Sequence, residues 1–370
     1  MATLIEGAAT AEGTARYAAR FHALPEHFRA LDGLALASVG LGTYLGREDD
    51  ATDRLYERAV GRAVERGINV VDSAINYRHQ RSERAIGAAL RAAIARGTVA
   101  RDEVFVTTKG GYVAFDGAVP ADTRAWFAET YLRPGIVRPD DVVGGAHCMT
   151  PRYLLDQLER SRANLGLATL DLYYVHNPEG QLEELDRAAF TARIRDAFAA
   201  LEGAVRDGKI RRYGTATWNG YRVDASAPGH LALADLVRVA REVGGDDHHF
   251  AVIQLPYNLA MPEAFARATQ RIGDAWVPTL EAARQLGVYV MASASVYQGR
   301  LARDLPPVVA EYLPGLETDA QRALQFVRST PGIGTALVGM KTVEHVEANA
   351  GVAAVAPLPW EQFRRLFEGA

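Results

Sequence analysis

From about residue 34 onward, the chain alternates short runs of β-branched and apolar residues with longer stretches of helical periodicity. This alternation is typical of repeated βα units built around a parallel sheet. Eight such runs predict strands at 37–42, 68–74, 104–109, 170–176, 212–217, 251–256, 288–293 and 336–340. Eight units favour a closed α/β barrel, the (β/α)8 TIM barrel, over an open doubly wound sheet.

The helical periodicity predicts an outer layer around this barrel. Its segments are 53–66, 82–95, 153–165, 187–206, 231–243, 276–286 and 320–329. Several of them stop at a glycine just before the next strand, at Gly67, Gly208 and Gly287. Glycine at that place is a common way to end a helix, because it adopts the left-handed conformation at low cost.

We expect one barrel domain over residues 34–370, preceded by an N-terminal extension over residues 1–33. The extension is expected to form a helix packed outside the barrel, and residues 357–369 an extra helix after the eighth unit. An insertion over residues 110–149 leaves the carboxyl end of the third strand, the face where barrel enzymes carry their active sites. Its aromatic residues either line a substrate pocket or form a satellite core: Tyr112, Phe115, Trp126, Phe127 and Tyr131.

Composition excludes several classes of function. The net charge is only −4 and the basic residues are scattered, with the densest stretch at 209–212, so no nucleic-acid partner is expected. Cys148 is the only cysteine, which excludes an internal disulfide framework and a cysteine-based zinc cluster. The sequence shows neither a signal peptide nor an apolar run of membrane-spanning length, so we expect a cytoplasmic protein without a membrane partner.

Four titratable residues fall at the carboxyl ends of the predicted strands, namely Asp72, Tyr77, Lys109 and His176. Singly, each has an ordinary structural explanation as a turn, rim or strand-end residue. Jointly they indicate a site, because the carboxyl ends of barrel strands point into one shared crater. A lysine at the end of a buried strand also requires a carboxylate partner.

Together these residues predict a proton relay. Tyr77 delivers the proton, Lys109 eases formation of the phenolate, Asp72 holds Lys109, and His176 binds the substrate oxygen. No side chain supplies hydride, so the relay calls for a redox cofactor.

The same positions resemble the aldo-keto reductase superfamily. The matching stretches are GLGT at 40–43, GINVVDSAINY at 67–77, FVTTK at 105–109 and LDLYYVHNP at 170–178. The resemblance covers about residues 34–350 and implies a barrel that binds NADPH without a Rossmann domain, with Asp72, Tyr77, Lys109 and His176 as catalytic tetrad. In agreement, no G-x-G-x-x-G follows a strand, and the pair Gly332 and Gly334 precedes one.

The resemblance also implies cofactor-binding residues. Gln254, with Thr217 and Asn219, corresponds to the family's residues that hold the nicotinamide amide. The 298–301 loop corresponds to the family's segment that passes over the pyrophosphate. Residues 339–349 correspond to the adenosine phosphate site, where a helix N-terminus suits an anion. The full set is Thr43, Thr217, Asn219, Gln254, Ser293, Gly299, Leu301, Gly339, Lys341, Thr342, His345 and Asn349.

Two positions depart from the family pattern. Ser293 stands where many members stack an aromatic ring on the nicotinamide, so stacking is either absent or supplied by Tyr297. Gly339 stands where some members bind the 2′-phosphate with lysine, which leaves Lys341 and His345 for that contact. NADP is therefore the expected cofactor, with NAD possible.

Two further signals favour ordinary structural roles. His248 and His249 are adjacent and would point apart on a strand, so no metal site is expected. His147 and Cys148 lie in the insertion, and no base and orienting partner for a nucleophilic cysteine can be assigned.

The leading hypothesis is an NAD(P)H-dependent oxidoreductase, of alcohol dehydrogenase or carbonyl reductase type, acting on a small carbonyl or alcohol substrate. A nucleotide-binding regulatory barrel with negligible turnover is the alternative, and a cofactor-free hydrolase or lyase is a third. The substrate, the direction and the oligomeric state are not fixed by the sequence.

Overall fold

A computed structural model describes residues 3–368. Eight parallel strands close into a barrel, which confirms the predicted (β/α)8 architecture. The barrel strands are β3 (Val39–Gly42), β4 (Val70–Asp72), β5 (Phe105–Gly110), β6 (Leu172–His176), β7 (Tyr213–Ala216), β8 (Phe250–Pro256), β11 (Tyr289–Ser293) and β12 (Thr335–Gly339). Their order around the barrel is β11-β12-β3-β4-β5-β6-β7-β8. Each overlaps a predicted run.

Helices surround the barrel, and all of them except the last overlap a segment of predicted helical periodicity. They are α2 (Asp50–Glu65), α3 (Arg81–Ala95), α5 (Pro151–Leu165), α6 (Arg187–Arg206), α7 (Leu233–Gly244), α9 (Thr279–Gln285), α11 (Asp319–Ser329) and α12 (Val343–Ala350). Several of these helices have a side-chain cap at their N-terminus. At the start of α2, for example, the Asp49 side chain accepts a hydrogen bond from the Thr52 backbone amide. Gly67, Gly208 and Gly287 all have positive φ, which agrees with the predicted helix ends.

The prediction of a helix from residue 276 was wrong. Residues there form an antiparallel hairpin of β9 (Ala268–Ile272) and β10 (Ala275–Pro278), with Gly273 at φ 58° in its turn. Pro278 disfavours helical backbone at the residue before it, so α9 starts only at Thr279.

The N-terminal extension forms α1 (Ala11–Ala19) and most of a hairpin, β1 (Phe28–Leu31) with β2 (Leu34–Ala37). Arg20 and Phe21 follow its last residue. The leucines of the hairpin pack with the first residues of β4, β5 and β6, so the hairpin closes the amino-terminal end of the barrel. The proposed boundary after residue 33 falls in the hairpin turn, and residues 1 and 2 lie outside the described range.

The insertion after β5 contains the short helix α4 (Thr123–Phe127), a π-helical turn over Ala128–Leu132 and a 3-10 turn over Pro139–Asp141. Bridges from His147 to Tyr112 and Val143 tie its two ends together. Tyr131, Val137, Cys148 and Tyr153 form a separate small core, against which Trp126 and Phe127 pack. Trp126, Phe127 and Tyr131 therefore belong to a satellite core, one of the two predicted alternatives.

Two short helices, α8 (Glu263–Ala266) and α10 (Val308–Tyr312), precede the C-terminal segment. The extra helix expected over residues 357–369 is shorter, with α13 at Trp360–Phe363 followed by a 3-10 turn at Arg364–Phe367. Gly369 lies outside the described residues. Within residues 3–368, the helices are too short or too polar to cross a bilayer.

Candidate active site

Parallel strand order brings the four predicted catalytic residues together. Asp72 ends β4, Lys109 is the next-to-last residue of β5, and His176 ends β6. Tyr77 lies in the turn after β4, where its amide donates to Ala74 O at 3.0 Å. All four sit at the carboxyl-terminal mouth of the barrel, opposite the N-terminal hairpin.

Lys109 and Asp72 form a buried ion pair. Lys109 is fully buried, and its Nζ lies 2.7 Å from Asp72 Oδ2 and 2.6 Å from Ser73 O. The other carboxylate oxygen, Oδ1, accepts from Thr107 Oγ1 and from Gln254 Nε2, each at 2.8 Å. These hydrogen bonds satisfy both buried charges, which an isolated lysine in this position would not achieve.

Tyr77 lies against this pair. Lys109 Nζ is 4.9 Å from the centroid of its ring, and the ring also contacts Tyr44, at 5.0 Å between centroids. Burial, and after it the charge of Asp72, raises the pKa of the Tyr77 phenol well above its usual range. This direction is opposite to the expected effect of Lys109 on the phenolate, because burial disfavours the charged phenolate more strongly.

His176 faces Tyr77 edge-on, at 6.0 Å between ring centroids. Its Nδ1 is buried and has no hydrogen-bond partner. Burial, followed by the charge of Lys109, lowers the pKa of His176 well below its usual value. The imidazole is therefore neutral at neutral pH, as suits a group that hydrogen-bonds an oxygen without carrying charge.

His147, in the insertion, fixes the backbone of His176. Its Nε2 donates to His176 O at 2.6 Å, and its Nδ1 accepts from Gln181 Nε2 at 2.8 Å. Burial lowers the pKa of His147 to about 4, so a single neutral tautomer satisfies both bonds. Cys148 beside it is buried, with Sγ 3.3 Å from Thr150 Oγ1, and burial raises the pKa of its thiol.

A cavity of about 560 Å³ opens at Asp72, Tyr77 and His176 and extends to the first turns of α12. This volume is within the usual range for small-molecule sites. Eight predicted cofactor residues line it, namely Thr43, Thr217, Gln254, Ser293, Gly299, Gly339, His345 and Asn349. At Gly299 and Gly339 no atom lies within 4 Å of the place a Cβ would occupy, so the backbone is open to a ligand at both points.

The other four predicted cofactor residues are not in the cavity lining: Asn219, Leu301, Lys341 and Thr342. Asn219 is exposed, and its Oδ1 accepts from Arg222 at 3.4 Å. Thr342 caps α12 by accepting from the His345 amide at 3.3 Å. Tyr297, considered for nicotinamide stacking, is also absent from the lining, and the Arg300 guanidinium lies 5.0 Å from its ring centroid.

Comparison with known proteins identifies this architecture. The model of the Aldo/keto reductase family matches residues 38–304, which is more than half of the chain. The chain belongs to this family. The resemblance predicted from the strand-end motifs is thereby confirmed.

Curated relatives share short stretches of this aldo-keto reductase. Dihydrodiol dehydrogenase 3 from Bos taurus is 32% identical over 147 residues, which is 40% of this chain and 33% of that protein. Prostaglandin-E(2) 9-reductase from Oryctolagus cuniculus is 28% identical over 197 residues, 51% of this chain and 49% of that protein. The chain thus spans a third to a half of the length of these relatives.

Solved structures share the fold over nearly the whole chain. An aldo/keto reductase from Klebsiella pneumoniae, crystallised with NADP and acetate, has a TM-score of 0.62 at 21% identity, covering 93% of this chain and 95% of that one. The holo form of an aldo-keto reductase from Bacillus halodurans has a TM-score of 0.63 at 19% identity, covering 92% and 95%.

Sequence reasoning missed several cavity residues of this family member. Tyr44, Asn76, Asn177 and Trp218 line the cavity, and each lies within a few residues of a barrel strand's carboxyl end. Their closeness to the carboxyl ends of the strands was the sequence signal that could have identified them. Tyr112, left open between two roles, also lines the cavity.

Over residues 3–368, no cluster of three or more His, Cys, Asp or Glu side chains is arranged to hold a metal ion. His249, considered above, instead directs Nδ1 to Glu202 Oε2 at 2.8 Å.

Proposed function

We propose that this aldo-keto reductase interconverts an aldehyde or ketone and the corresponding alcohol, with NADP as cofactor and Tyr77 as general acid or base. The observation that carries the proposal is the position of the Tyr77 phenol. It opens onto the cavity, beside a buried Lys109–Asp72 ion pair and a neutral His176.

The cavity residues fit a nicotinamide dinucleotide. Gly299 and Gly339 offer open backbone. At the far end, His345 lies in the first turn of α12, where the helix N-terminus favours phosphate, and Asn349, near the end of the same helix, also lines the cavity. Related structures crystallised with NADP and NADPH support NADP over NAD. When bound, this cofactor supplies the hydride that no side chain can supply.

The chain's own residues manage the proton and the developing charge. The Tyr77 phenol stays protonated at neutral pH because burial raises its pKa, so it is ready to donate to the carbonyl oxygen. His176 hydrogen-bonds that oxygen as charge develops on it. In reduction, the carbonyl carbon accepts hydride and the oxygen accepts the Tyr77 proton, which gives the alcohol.

Lys109 and Asp72 matter most in the opposite direction. Oxidation of an alcohol requires Tyr77 to act as a base, and an ammonium 4.9 Å from its ring stabilises the phenolate. Asp72 keeps Lys109 charged although burial lowers the pKa of the lysine. In this proposal the partners are small carbonyls and alcohols.

Tyr77→Phe tests the proposal. We expect kcat on a panel of aldehydes with NADPH to fall by roughly 10²- to 10⁴-fold, the usual contribution of a positioned acid. The NADPH dissociation constant, followed by tryptophan fluorescence, should stay within about threefold of the native value. A change of about half a kcal/mol in the binding free energy would alter it by little more than twofold. Tyr312→Phe, the same change at an exposed position outside the cavity, is the control.

Unchanged turnover in Tyr77→Phe would refute the role of Tyr77. NADPH binding without turnover in the native protein would support the regulatory barrel instead, and absence of binding would favour cofactor-free chemistry.

A further inference from the structure

The turn that carries Tyr77 continues into three residues with left-handed backbone. Arg78, His79 and Gln80 have φ of 50°, 53° and 71°. Residues other than glycine adopt this conformation singly as a rule, because their Cβ atoms crowd the backbone carbonyls. Three in succession persist only where the surrounding structure holds them. The position of Tyr77 therefore depends on the contacts that hold this turn.

Arg78 holds one side of the turn from within the barrel domain. Its buried guanidinium donates to Arg47 O at 2.8 Å and to Asp49 O at 3.3 Å, both in the loop after β3. It also donates to Asp53 Oδ1, in the first turn of α2, at 2.5 Å. These contacts fix the start of the turn and leave His79 and Gln80 to be held by other groups.

The insertion holds the other side of the turn. The buried Gln80 side chain donates through Nε2 to Phe115 O at 3.0 Å, and its Oε1 accepts from Asn164 Nδ2 at 3.0 Å. The Gly117 amide donates to His79 O at 2.8 Å, and the His79 ring lies 5.6 Å from the Phe115 ring. Two successive left-handed residues are thus paired with the first part of the insertion.

The two ends of the insertion also hold His176. His147 Nε2 donates to His176 O at 2.6 Å, and the Tyr112 ring centroid lies 5.1 Å from both imidazoles. A Cβ on Gly111 would lie 2.8 Å from His147 Nε2 and 2.9 Å from His176 O. Only glycine lets the chain pass this close, so the end of β6 and the insertion are fitted to each other.

The satellite core joins these two points of contact. The Phe115 ring lies 4.9 Å from the Trp126 ring, which lies 5.5 Å from the Tyr131 ring. Tyr131 and Cys148 belong to the same buried core, and Cys148 directly follows His147. One packed unit therefore reaches from the Tyr77 turn to the backbone of His176.

We infer that the insertion is a positioning element, which fixes the Tyr77 turn and His176 relative to each other. Gln80 and His147 are its positioning residues, and neither lines the cavity. The inference rests on the proposed function, in which Tyr77 and His176 act on one carbonyl oxygen. Their separation then has to match that oxygen closely, because a displacement of about 1 Å can cost roughly a hundredfold in rate.

Four single variants test this inference. Gln80→Met keeps the length of the side chain and removes its bonds to Phe115 and Asn164. His147→Leu removes the donor to His176 O, whereas His147→Gln keeps an amide donor at a similar reach. Thermal unfolding checks that each variant folds, and if one of Gln80→Met and His147→Leu does not, the other decides.

Gln325→Met is the matched control for Gln80→Met. Gln325 is also buried, and its Nε2 donates to Ala356 O at 2.6 Å. Its Oε1 accepts from Arg328 at 3.0 Å, so both variants remove one bond at each amide atom. Gln325 lies on α11 and is absent from the cavity lining. We expect a comparable loss of stability from the control.

The quantity measured is kcat per NADPH-binding site, with propanal or 4-nitrobenzaldehyde, whichever the native enzyme reduces faster. Counting sites by NADPH titration removes the effect of a smaller folded fraction. We expect kcat to fall roughly ten- to a hundredfold in Gln80→Met and in His147→Leu. The NADPH dissociation constant should stay within about threefold of the native value. His147→Gln should recover most of the lost kcat, and Gln325→Met should keep kcat within about threefold.

The double variant Gln80→Met/His147→Leu tests whether the two contacts serve one geometry. Once either contact is lost, the separation of Tyr77 and His176 is already disturbed. The second loss should therefore add less than it does alone, since residues that act as a unit are not additive. A loss equal to the product of the two single losses would mean that the contacts act separately and would overturn the inference.

Failure of the inference and failure of the function give different results. Native kcat in both Gln80→Met and His147→Leu, or an equal loss in Gln325→Met, overturns the inference while the native enzyme's turnover still supports the reductase. No turnover of either aldehyde by the native protein overturns both.

Discussion

Gln254 Nε2 donates a hydrogen bond to Asp72 Oδ1 at 2.8 Å, although the family resemblance assigned Gln254 to the nicotinamide amide. Gln254 lies on β8 and Asp72 ends β4, on opposite sides of the barrel ring. The bond therefore links the ion pair to the cavity lining across the barrel mouth. Gln254 is placed to support Asp72, and it also lines the proposed cofactor cavity.

Two variants separate these roles. Thr107→Val removes the other hydrogen bond to Asp72 Oδ1 and changes no cavity-lining residue. Gln254→Leu should lower the free energy of unfolding by about 1.5–3 kcal/mol, as Thr107→Val does, because each removes a bond to a charged group. Only Gln254→Leu should also weaken NADPH binding, by roughly tenfold.

Urea denaturation and NADPH titration of both variants measure the two effects. If Gln254→Leu loses stability but binds NADPH normally, Gln254 supports only Asp72. Equal weakening of NADPH binding in Thr107→Val would instead mean that the geometry of Asp72 controls the cofactor site.

Several buried histidines make stability depend on pH, namely His147 and His176 in the site and His27, whose pKa is also lowered by burial to about 4. Burial lowers the pKa of His147 to about 4 and that of His176 well below its usual value, against about 6.5 in the unfolded chain. Between those values the unfolded chain binds more protons than the folded one. Their stabilising contribution is therefore complete above pH 6.5 and is lost as the pH falls toward 4.

His147→Gln should flatten this acid limb while preserving a donor toward His176 O. For His147 alone, the change from pH 6.5 to 4 amounts to roughly 3 kcal/mol in the free energy of unfolding. Urea unfolding at a series of pH values measures the slope, and His22→Gln, at an exposed position, should leave it unchanged. A slope that is the same in His147→Gln and the native protein would contradict the assignment.

The sequence predicted the parts of the site that strand ends impose. Asp72, Lys109 and His176 lie at or next to the carboxyl ends of buried strands, so barrel closure alone brings them together. Gln254 shows the limit of prediction from the sequence. Its position in the motif does not reveal whether its side chain bonds to Asp72 or to the nicotinamide. Its bond to Asp72 depends on the barrel's cross-section, which periodicity does not encode.

Loop residues were less predictable for a related reason. Asn219 follows β7 by three residues, yet it faces solvent because Glu179 holds the backbone of its loop. Asn177 faces the cavity because its backbone is in the left-handed conformation. Asparagine tolerates this conformation but does not require it, so the sequence does not predict it. Residues 276–278, the end of the hairpin, were predicted as the start of a helix, although Pro278 disfavours helical backbone at the residue before it.

Glu179 is the anchor of the loop after β7. Its Oε1 accepts from the amides of Trp218, Asn219 and Gly220 at 2.7, 3.0 and 3.3 Å. We expect Glu179→Ala to loosen this loop and raise the NADPH dissociation constant about tenfold. Glu179→Gln keeps an acceptor oxygen and should stay within about threefold of the native value.

Isothermal titration with NADPH measures the difference. Glu184→Ala, which removes a carboxylate that accepts only the Gly144 amide outside the cavity, is the control. Equal effects of the Ala and Gln variants of Glu179 would show that its charge, rather than its geometry, sets the affinity.

Preference for NADP over NAD should depend on His345 more than on Lys341. His345 lines the cavity at the start of α12, whereas Lys341 does not line it. The 2′-phosphate is the only group that distinguishes the two cofactors, so His345→Ala should weaken NADPH binding by roughly tenfold and leave NADH binding nearly unchanged. Lys341→Met should have a smaller effect. Titrations with NADPH and with NADH give, for each variant, the ratio of its dissociation constant to that of the native protein. Equal losses of affinity for NADPH and NADH in His345→Ala would mean that His345 shapes the cavity without contacting the phosphate.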